Sequence, residues 1–408
     1  MKQKQSDALW TGTFIRLLIL IVFIYIGIAL VNSTFSVYTV QQFNGTPSDV
    51  SLVSSLMIIA SLFFRPIAGF LIDRFGRRVT MALSLGATAL ISLAFLLPKS
   101  ILGLILLRLL MGIPFAMNTT GNATLRTDLI PEDKRVDGFN ITTIAIMLSA
   151  LVIGPNLAYW ILDLSGFGTL FSIAAGLLLI TIANLLLLKF DDIKTRSVTF
   201  SIKEIFEPRA FWFALVLGIT FIGWPGVMTY GPLYSLELGL SFGGYFFLAY
   251  GGGLLFSRFI SNYIMGDNKP PAFTAFSLVL VIIGHTLIGF LNSKVGFLTG
   301  AVFIGAGYGM ALSIFKKMAY DLVEPERRGR CGATIFVIQD IGATIGIYAY
   351  GFLAESLGSF SYSYMMAAVI TIVPLVILLL VALPDYKRQN TAGLSQNIPV
   401  TIESDILK

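Results

Sequence analysis

Apolar residues dominate twelve long blocks, at about 14–40, 48–72, 79–97, 101–125, 139–163, 166–189, 211–235, 242–264, 272–291, 297–318, 331–354 and 361–383. Short polar segments separate them. A helix needs roughly 20 apolar residues to cross a hydrocarbon core about 30 Å thick, so each block is read as one spanning helix, numbered span one to span twelve. The blocks lack the alternation of shorter barrel strands. The first is too long for a signal-peptide core and has no small-residue cleavage site, so it is expected to be retained. The predicted protein is all-α and integral to a membrane.

The polar segments then orient the spans. Of 28 Lys and Arg, only Lys99 and Lys294 fall on one face, while Arg65, Arg108 and Arg258 lie within spans. All others fall in segments on the opposite face, which also carries both chain ends. By the positive-inside rule this basic face is cytoplasmic. An odd number of spans would spoil the partition. The expected location is a cell membrane, of a bacterial plasma-membrane kind, with both termini inside.

The longest polar segment divides the chain into a first six-helix bundle over residues 1–190, a linker at 191–209, a second bundle at 210–384 and a tail at 385–408. The halves repeat at an offset of 193 residues, which takes Arg65 to Arg258, Gly112 to Gly305, Ala116 to Gly309 and Leu129 to Leu322. Two pseudo-symmetric bundles of this kind place a binding site at their interface.

Composition excludes other classes. The 408 residues are 56% hydrophobic and 12% charged, about half the charge of a soluble protein. One cysteine, Cys331, and one histidine, His285, leave no disulfide and no metal cluster. A membrane enzyme would need a nucleophile–base set or metal ligands at one depth. The net charge of +6 comes from loops between apolar spans and is not a nucleic-acid signal. No G-x-x-x-x-G-K-[ST] loop is present, so a nucleotide is not the direct energy source. No cofactor or metal is expected.

Between spans two and three stands Gly69-Phe70-Leu71-Ile72-Asp73-Arg74-Phe75-Gly76-Arg77-Arg78. Gly69 would allow close helix approach, Asp73 and Arg74 would begin a tight turn, and Gly76 supplies a permissive backbone. Arg77 and Arg78 are expected at the headgroup surface. The spacing resembles the signature loop of the major facilitator superfamily, G-x-x-x-D-R-x-G-R-R. The resemblance extends over twelve spans in layout and implies two six-helix bundles that rock about a central site. It also implies that Asp73 closes a gate against the start of span eleven, where Arg330 is the nearest partner. The second copy of the loop, Asn262 to Lys269, has decayed.

Two further motifs point the same way. Arg108-x-x-x-Gly112-x-x-x-Ala116 puts a cation and two small residues on one face of span four. A charge at that depth costs about 2.5–3.5 kcal/mol on insertion scales, so it should face inward. The pattern resembles the family's span-four motif, whose arginine is associated with proton transfer. In span five, Ala150-x-x-x-Gly154-Pro155-x-x-Ala158 resembles the family's antiporter motif, with alanines where glycines are usual. The equivalent positions of span eleven lack the Gly-Pro pair.

Among 22 acids, Asp49, Asp163, Glu237 and Glu355 sit at the far ends of spans, and only Asp340 lies near mid-membrane. A carboxyl there can take a proton from one side and release it to the other, or pair with a cation such as Arg108. Cavity candidates at mid-depth are Tyr25, Asn32, Asn118, Trp224, Tyr250, Tyr308 and Gln339. The Gly223-Trp224-Pro225-Gly226 run should bend span seven. His285 reads as structural. Together these features predict a monomeric, proton-coupled exporter of a small organic molecule. Metallophore or siderophore export, sugar or organic-acid symport, and a receptor or scaffold are the alternatives.

Overall fold

The computed structural model describes residues 9–188, 190, 192, 206–240, 243–265, 270–324 and 327–396, without the side chains of 136, 258–265, 270–272 and 390–396. Most of the linker, most of the second-copy loop, the side chain of Arg258 and the end of the tail lie outside these residues. Among the described residues the chain is helical throughout, without strands.

Twelve spans are present among the described residues. Span one is Gly12–Asn32, continued after a break by Phe35–Phe43. Spans two, three and four are Pro47–Phe75, Arg77–Ala94 and Ile101–Leu129. Spans five and six share one continuous run from Arg135 to Leu187, divided at Gly166, whose φ of 75° interrupts the helix. Span seven is broken: Phe211–Thr220, a tight turn at Phe221–Gly223, then Pro225–Met228 and Gly231–Glu237. The bend falls on the Gly-Trp-Pro-Gly run, as the missing N–H of proline requires. Spans eight to eleven are Gly244–Met265, Pro270–Leu291, Lys294–Asp321 and Arg328–Leu357. Span twelve starts at Phe360 and runs through a π-turn into Leu383–Gln396.

Local sequence sets the ends. Thr46 and Asp49 form a capping box at the start of span two, ahead of Pro47. Ser100 and Ser293 cap spans four and ten by accepting from Gly103 and Gly296 backbone N–H groups. Buried hydroxyls along the spans donate back to carbonyls one turn earlier, as Thr142 does to Gly138 at 2.8 Å. In an apolar medium this satisfies a group that has no water to turn to. Large apolar side chains instead cover the outside: Phe63, Leu97, Val295 and Leu380 are all more than 70% exposed. A soluble particle does not present such a surface.

The 193-residue offset reappears in the packing. A Cβ on Gly112 would stand 2.6 Å from the Met57 carbonyl and 2.9 Å from the Ser61 nitrogen of span two. A Cβ on Gly305 would strike the Tyr250 carbonyl and stand 3.0 Å from the Leu254 nitrogen of span eight. Met57 and Tyr250, like Ser61 and Leu254, are related by the same offset as the glycines. Spans two and four therefore touch backbone to backbone just as spans eight and ten do. Each half is held by this close approach.

Candidate functional site

The two halves meet chiefly along span two against span eleven and span five against span eight. On span two, Ser48, Ser51, Ser55 and Arg65 share one face. Their partners on span eleven run from Glu355 for Ser48 to Asp340 for Arg65, the reversed direction that antiparallel helices require. At the rim away from the basic face, the Ser48 N–H donates to Glu355 Oε2 at 2.9 Å. Ser51 Oγ donates to the Ile347 carbonyl at 3.1 Å and lies 2.7 Å from the Tyr230 hydroxyl. Tyr230 donates to the same carbonyl at 2.9 Å and stacks on Tyr350. Ser55 donates to the Tyr348 hydroxyl at 2.9 Å. Gly351 admits Ser51 and the Pro47 carbonyl where any side chain would collide. The far-face half of the interface is thus closed by short polar contacts.

Deeper in, Arg65 Nη2 lies 2.8 Å from Asp340 Oδ2. At 1.5 Å per residue, Arg65 is about 15 Å from the end of span two and Asp340 about 18 Å from the start of span eleven. The pair therefore joins the halves near mid-membrane. Arg65 also covers the Phe336 ring, and Lys316 of span ten lies over the same ring at 4.4 Å. Asp340 does not meet Arg108. That arginine donates to Asn32 Oδ1 at 2.7 Å and to the Val53 carbonyl at 3.2 Å, over the Phe35 ring. Span two lies along span eleven, so Arg65 takes the carboxylate.

On the basic face, the ion pairs among the described residues stay within one half: Arg77 with Asp128, Arg209 and Arg327 with Glu324, and Arg327 with Glu207. Asp73 is half-buried and forms no ion pair with Arg330. The loop itself differs from expectation in three ways. Span two continues through Asp73 and Arg74 to Phe75, so the turn is Gly76 alone. Arg74 lies against Phe70 and Phe75. Gly69 has no neighbour within 4 Å of where its Cβ would stand, so it mediates no close approach here. Arg77 and Arg78 both have partners within the protein. Arg77 is buried on Asp128, and Arg78 donates to the Leu188 carbonyl at 2.8 Å beside the Phe190 ring. Gly76 has a φ of 91° and faces the Asp192 carboxylate, which accepts from the Arg77 N–H at 2.6 Å and the Arg78 N–H at 3.3 Å. Asp192 thereby caps span three and pins the loop to the end of span six.

Span five carries a π-turn over Ser149–Ile153, which contains Ala150 and ends directly before Gly154-Pro155. Span twelve repeats the arrangement, with a π-turn at Leu378–Ala382 before Leu383-Pro384. The wider turn makes room for a proline ring that would clash in a regular helix. Asn156 donates to the Val152 carbonyl at 2.7 Å. Gly154 packs on Ala29 of span one, and Ala158 is buried.

The cavity candidates do not converge on one point. Trp224, Tyr250 and Tyr308 gather around Phe221, with Trp224 stacked on it at 5.1 Å. Tyr308 donates to the Thr220 carbonyl at 2.8 Å. His285 is fully buried beside this cluster, between the Val281 and Gly223 carbonyls. In the first half, Asn32 holds Arg108, Tyr25 lies near Arg126, and Asn118 is buried. Gln339 is buried next to Asp340. A cavity of about 360 Å³ opens at the far face among Tyr38, Gln42, Leu96, Lys99 and Phe167, wholly within the first half and away from the interface. Sequence reasoning missed Ser51, Tyr230 and Tyr348, whose partners are far apart in the chain. It also missed Asn122 and Arg126, which repeat Asn118 at helical spacing and were open to view.

The sequence profile of the Major Facilitator Superfamily matches residues 17–346 and 275–404. The chain belongs to the Major Facilitator Superfamily. It is 22% identical to the "Staphylopine export protein" of Staphylococcus aureus (strain Mu50) over 88% of this chain and 94% of that one. It is 26% identical to "Multidrug resistance protein 1" of Bacillus subtilis (strain 168) over 54% of this chain and 56% of that one. The nucleoside transporter NupG superposes with a TM-score of 0.71 at 16% identity, over 90% of this chain and 98% of that chain. A bacterial homolog of the human lysosomal transporter Spinster gives 0.72 at 12% identity, over 96% and 99%. As a member of this superfamily, the chain is a multi-pass membrane transporter with exporters among its relatives, and not an enzyme.

Proposed function

We propose that the chain exports a small organic molecule from a bacterial cell in exchange for protons, with its basic face cytoplasmic and Asp340 as the proton carrier. The observation that carries this reading is the Arg65–Asp340 pair, which ties the halves together near mid-membrane while the far face is closed. A nearby guanidinium favours an ionised carboxylate. Closing the far face brings Arg65 to Asp340 and expels its proton toward the basic face. Parting the halves removes Arg65 and lets Asp340 take a proton from the far side. The net movement is inward for protons, and a cargo bound at the basic side must break the pair to reach the far side. Arg108, held by Asn32 and Val53, supports span four within the first half and does not touch Asp340. Asp73 and Arg330 are proposed as partners only when the basic face closes. The Gly154-Pro155 turn gives span five the compliance that such rocking needs.

Among possible cargoes, an endogenous metallophore is favoured over a foreign drug, because the resemblance to the staphylopine exporter spans most of both chains. The relation to the multidrug resistance protein covers about half of each. The test compares cargo accumulation in a deletion strain complemented with wild type or Asp340→Asn, with and without an uncoupler. Wild type should lower accumulation only without uncoupler, and the variant should fail in both conditions. An Asp340→Asn chain that still exports against the gradient removes Asp340 from the coupling.

A further inference from the structure

One polar stripe has no use in the gate or the ion pair. Asn118, Asn122 and Arg126 follow one another at four-residue spacing on span four and therefore share a face. Asn118 and Asn122 are each 1% exposed, and neither the oxygen nor the nitrogen of either amide has a hydrogen-bond partner. Four buried amide atoms without partners are rare in a native core, where such groups are nearly always satisfied. The Nε of Arg126 is also buried and unpartnered.

The cation completes the anomaly. Other arginines of the first half have polar partners: Arg65 lies on Asp340, Arg77 on Asp128, Arg108 on Asn32 and a carbonyl, and Arg78 on the Leu188 carbonyl. Asp128, two residues from Arg126, is committed to Arg77. No ion pair to Arg126 occurs among the described residues; its neighbours are the Phe139 ring at 5.4 Å and the Tyr25 phenol. Phe139 belongs to span five and Tyr25 to span one, so the Arg126 end of the stripe faces the junction of spans one, four and five. An uncompensated cation beside unpaired amides, in a protein that moves solutes, marks a ligand site and not a packing surface.

We infer that Asn118, Asn122 and Arg126 bind the anionic end of the cargo, a carboxylate-bearing molecule that also offers N–H or O–H donors. Arg126 presents the charge and the planar fork that a carboxylate matches. The amide nitrogens add donors to it, and the amide oxygens accept from an amine or hydroxyl further along. Eight residues of helix span about 12 Å, so the ligand is elongated along span four and not a compact ion. This deepens the export reading by naming the cargo class.

Binding is read on the purified full-length chain in detergent, by thermal stabilisation with glutamate and citrate against glutamine and choline. Glutamate and citrate should stabilise the wild type and glutamine and choline should not. Arg126→Gln should weaken half-saturation about 10- to 100-fold, the scale of hydrogen bonds to a charged group. Arg126→Lys should keep part of the effect. Asn118→Ala with Asn122→Ala should reduce glutamate stabilisation without changing the preference for anions. Without ligand, Arg126→Gln should be at least as thermostable as wild type, because it removes a half-buried charge that has no acidic partner among the described residues; a merely structural arginine would destabilise when replaced. Equal stabilisation by choline or glutamine, no stabilisation by either acid, or an unchanged response in Arg126→Gln overturns the site. The assay needs no transport: a chain that binds glutamate yet moves no solute in proteoliposomes keeps the site and loses the export reading.

Discussion

Removing the charge on Asp340 should release the far-face closure by an amount that can be bounded. At 2.8 Å and an effective dielectric of about 20, two unit charges attract by about 6 kcal/mol before desolvation. Desolvation takes back much of this. Losing one partner of a fully buried pair costs about 3–5 kcal/mol, whereas exposed pairs are worth about 0.2–1 kcal/mol. The Arg65 and Asp340 side chains are 24% and 21% exposed, so the pair falls between these limits, near 2 kcal/mol, roughly a 30-fold shift in a two-state equilibrium. The assay is the distance distribution between spin labels at Lys99 and Lys294, exposed positions on the far face of each half, in a Cys331→Ser background. Asp340→Asn and Arg65→Gln should each shift population toward the wider distance. The double variant should shift it no further, giving a coupling energy of about 2 kcal/mol. The charge-swapped pair Arg65→Asp with Asp340→Arg should restore closure. Single-variant effects that add to within about 0.5 kcal/mol would refute the tie, because independent sites behave that way.

Other perturbations test other parts. Gly351→Ala sets a methyl against Ser51 and, at 2.6 Å, the Pro47 carbonyl; it should open the far face by about 1–3 kcal/mol on the same label pair. Gly76→Ala combines a φ of 91° with a clash on the Asp192 carboxylate. It should destabilise the chain by about 1–3 kcal/mol in thermal unfolding, and Asp192→Ala should cost about 1 kcal/mol through the lost cap. Arg108→Lys keeps the charge but loses the fork that reaches Asn32 and Val53 together. It should lower stability by about 1–2 kcal/mol while leaving the dependence of transport on the proton gradient intact; a loss of coupling with unchanged stability would return Arg108 to the proton path.

Depth along the membrane was legible in the sequence, and direction around each helix was not. Apolar block lengths placed most of the spans within a few residues, although the helix of span twelve runs on to Gln396, and counting from their ends put Asp340 at mid-depth. Its partner depends on which neighbouring helix its face meets, and that is fixed by packing. Both Arg65 and Arg108 were visible as cations within spans, yet only assembly distinguishes them. Gly76 was legible because its neighbours define the turn, whereas Asp192, more than a hundred residues away, carries no local mark of its capping role. The Asn118, Asn122 and Arg126 stripe was plain in spacing; what sets it apart is the lack of partners, which only the packed chain reveals.

The π-turn in span five has a consequence for how the halves divide their work. An extra residue in one turn rotates everything beyond it by about 100° relative to a regular helix. The part of the span before the turn and the part after it can therefore present different stripes of sequence to the same side of the molecule. Gly154, just past the turn, seats on span one, while Tyr159 and Val152 meet Phe247 and Gly251 of span eight. One helix thus belongs to the rigid body of the first half through one edge and to the sliding joint through another. Substitutions that regularise the turn would weld these two allegiances together and leave a well-folded protein that no longer changes shape.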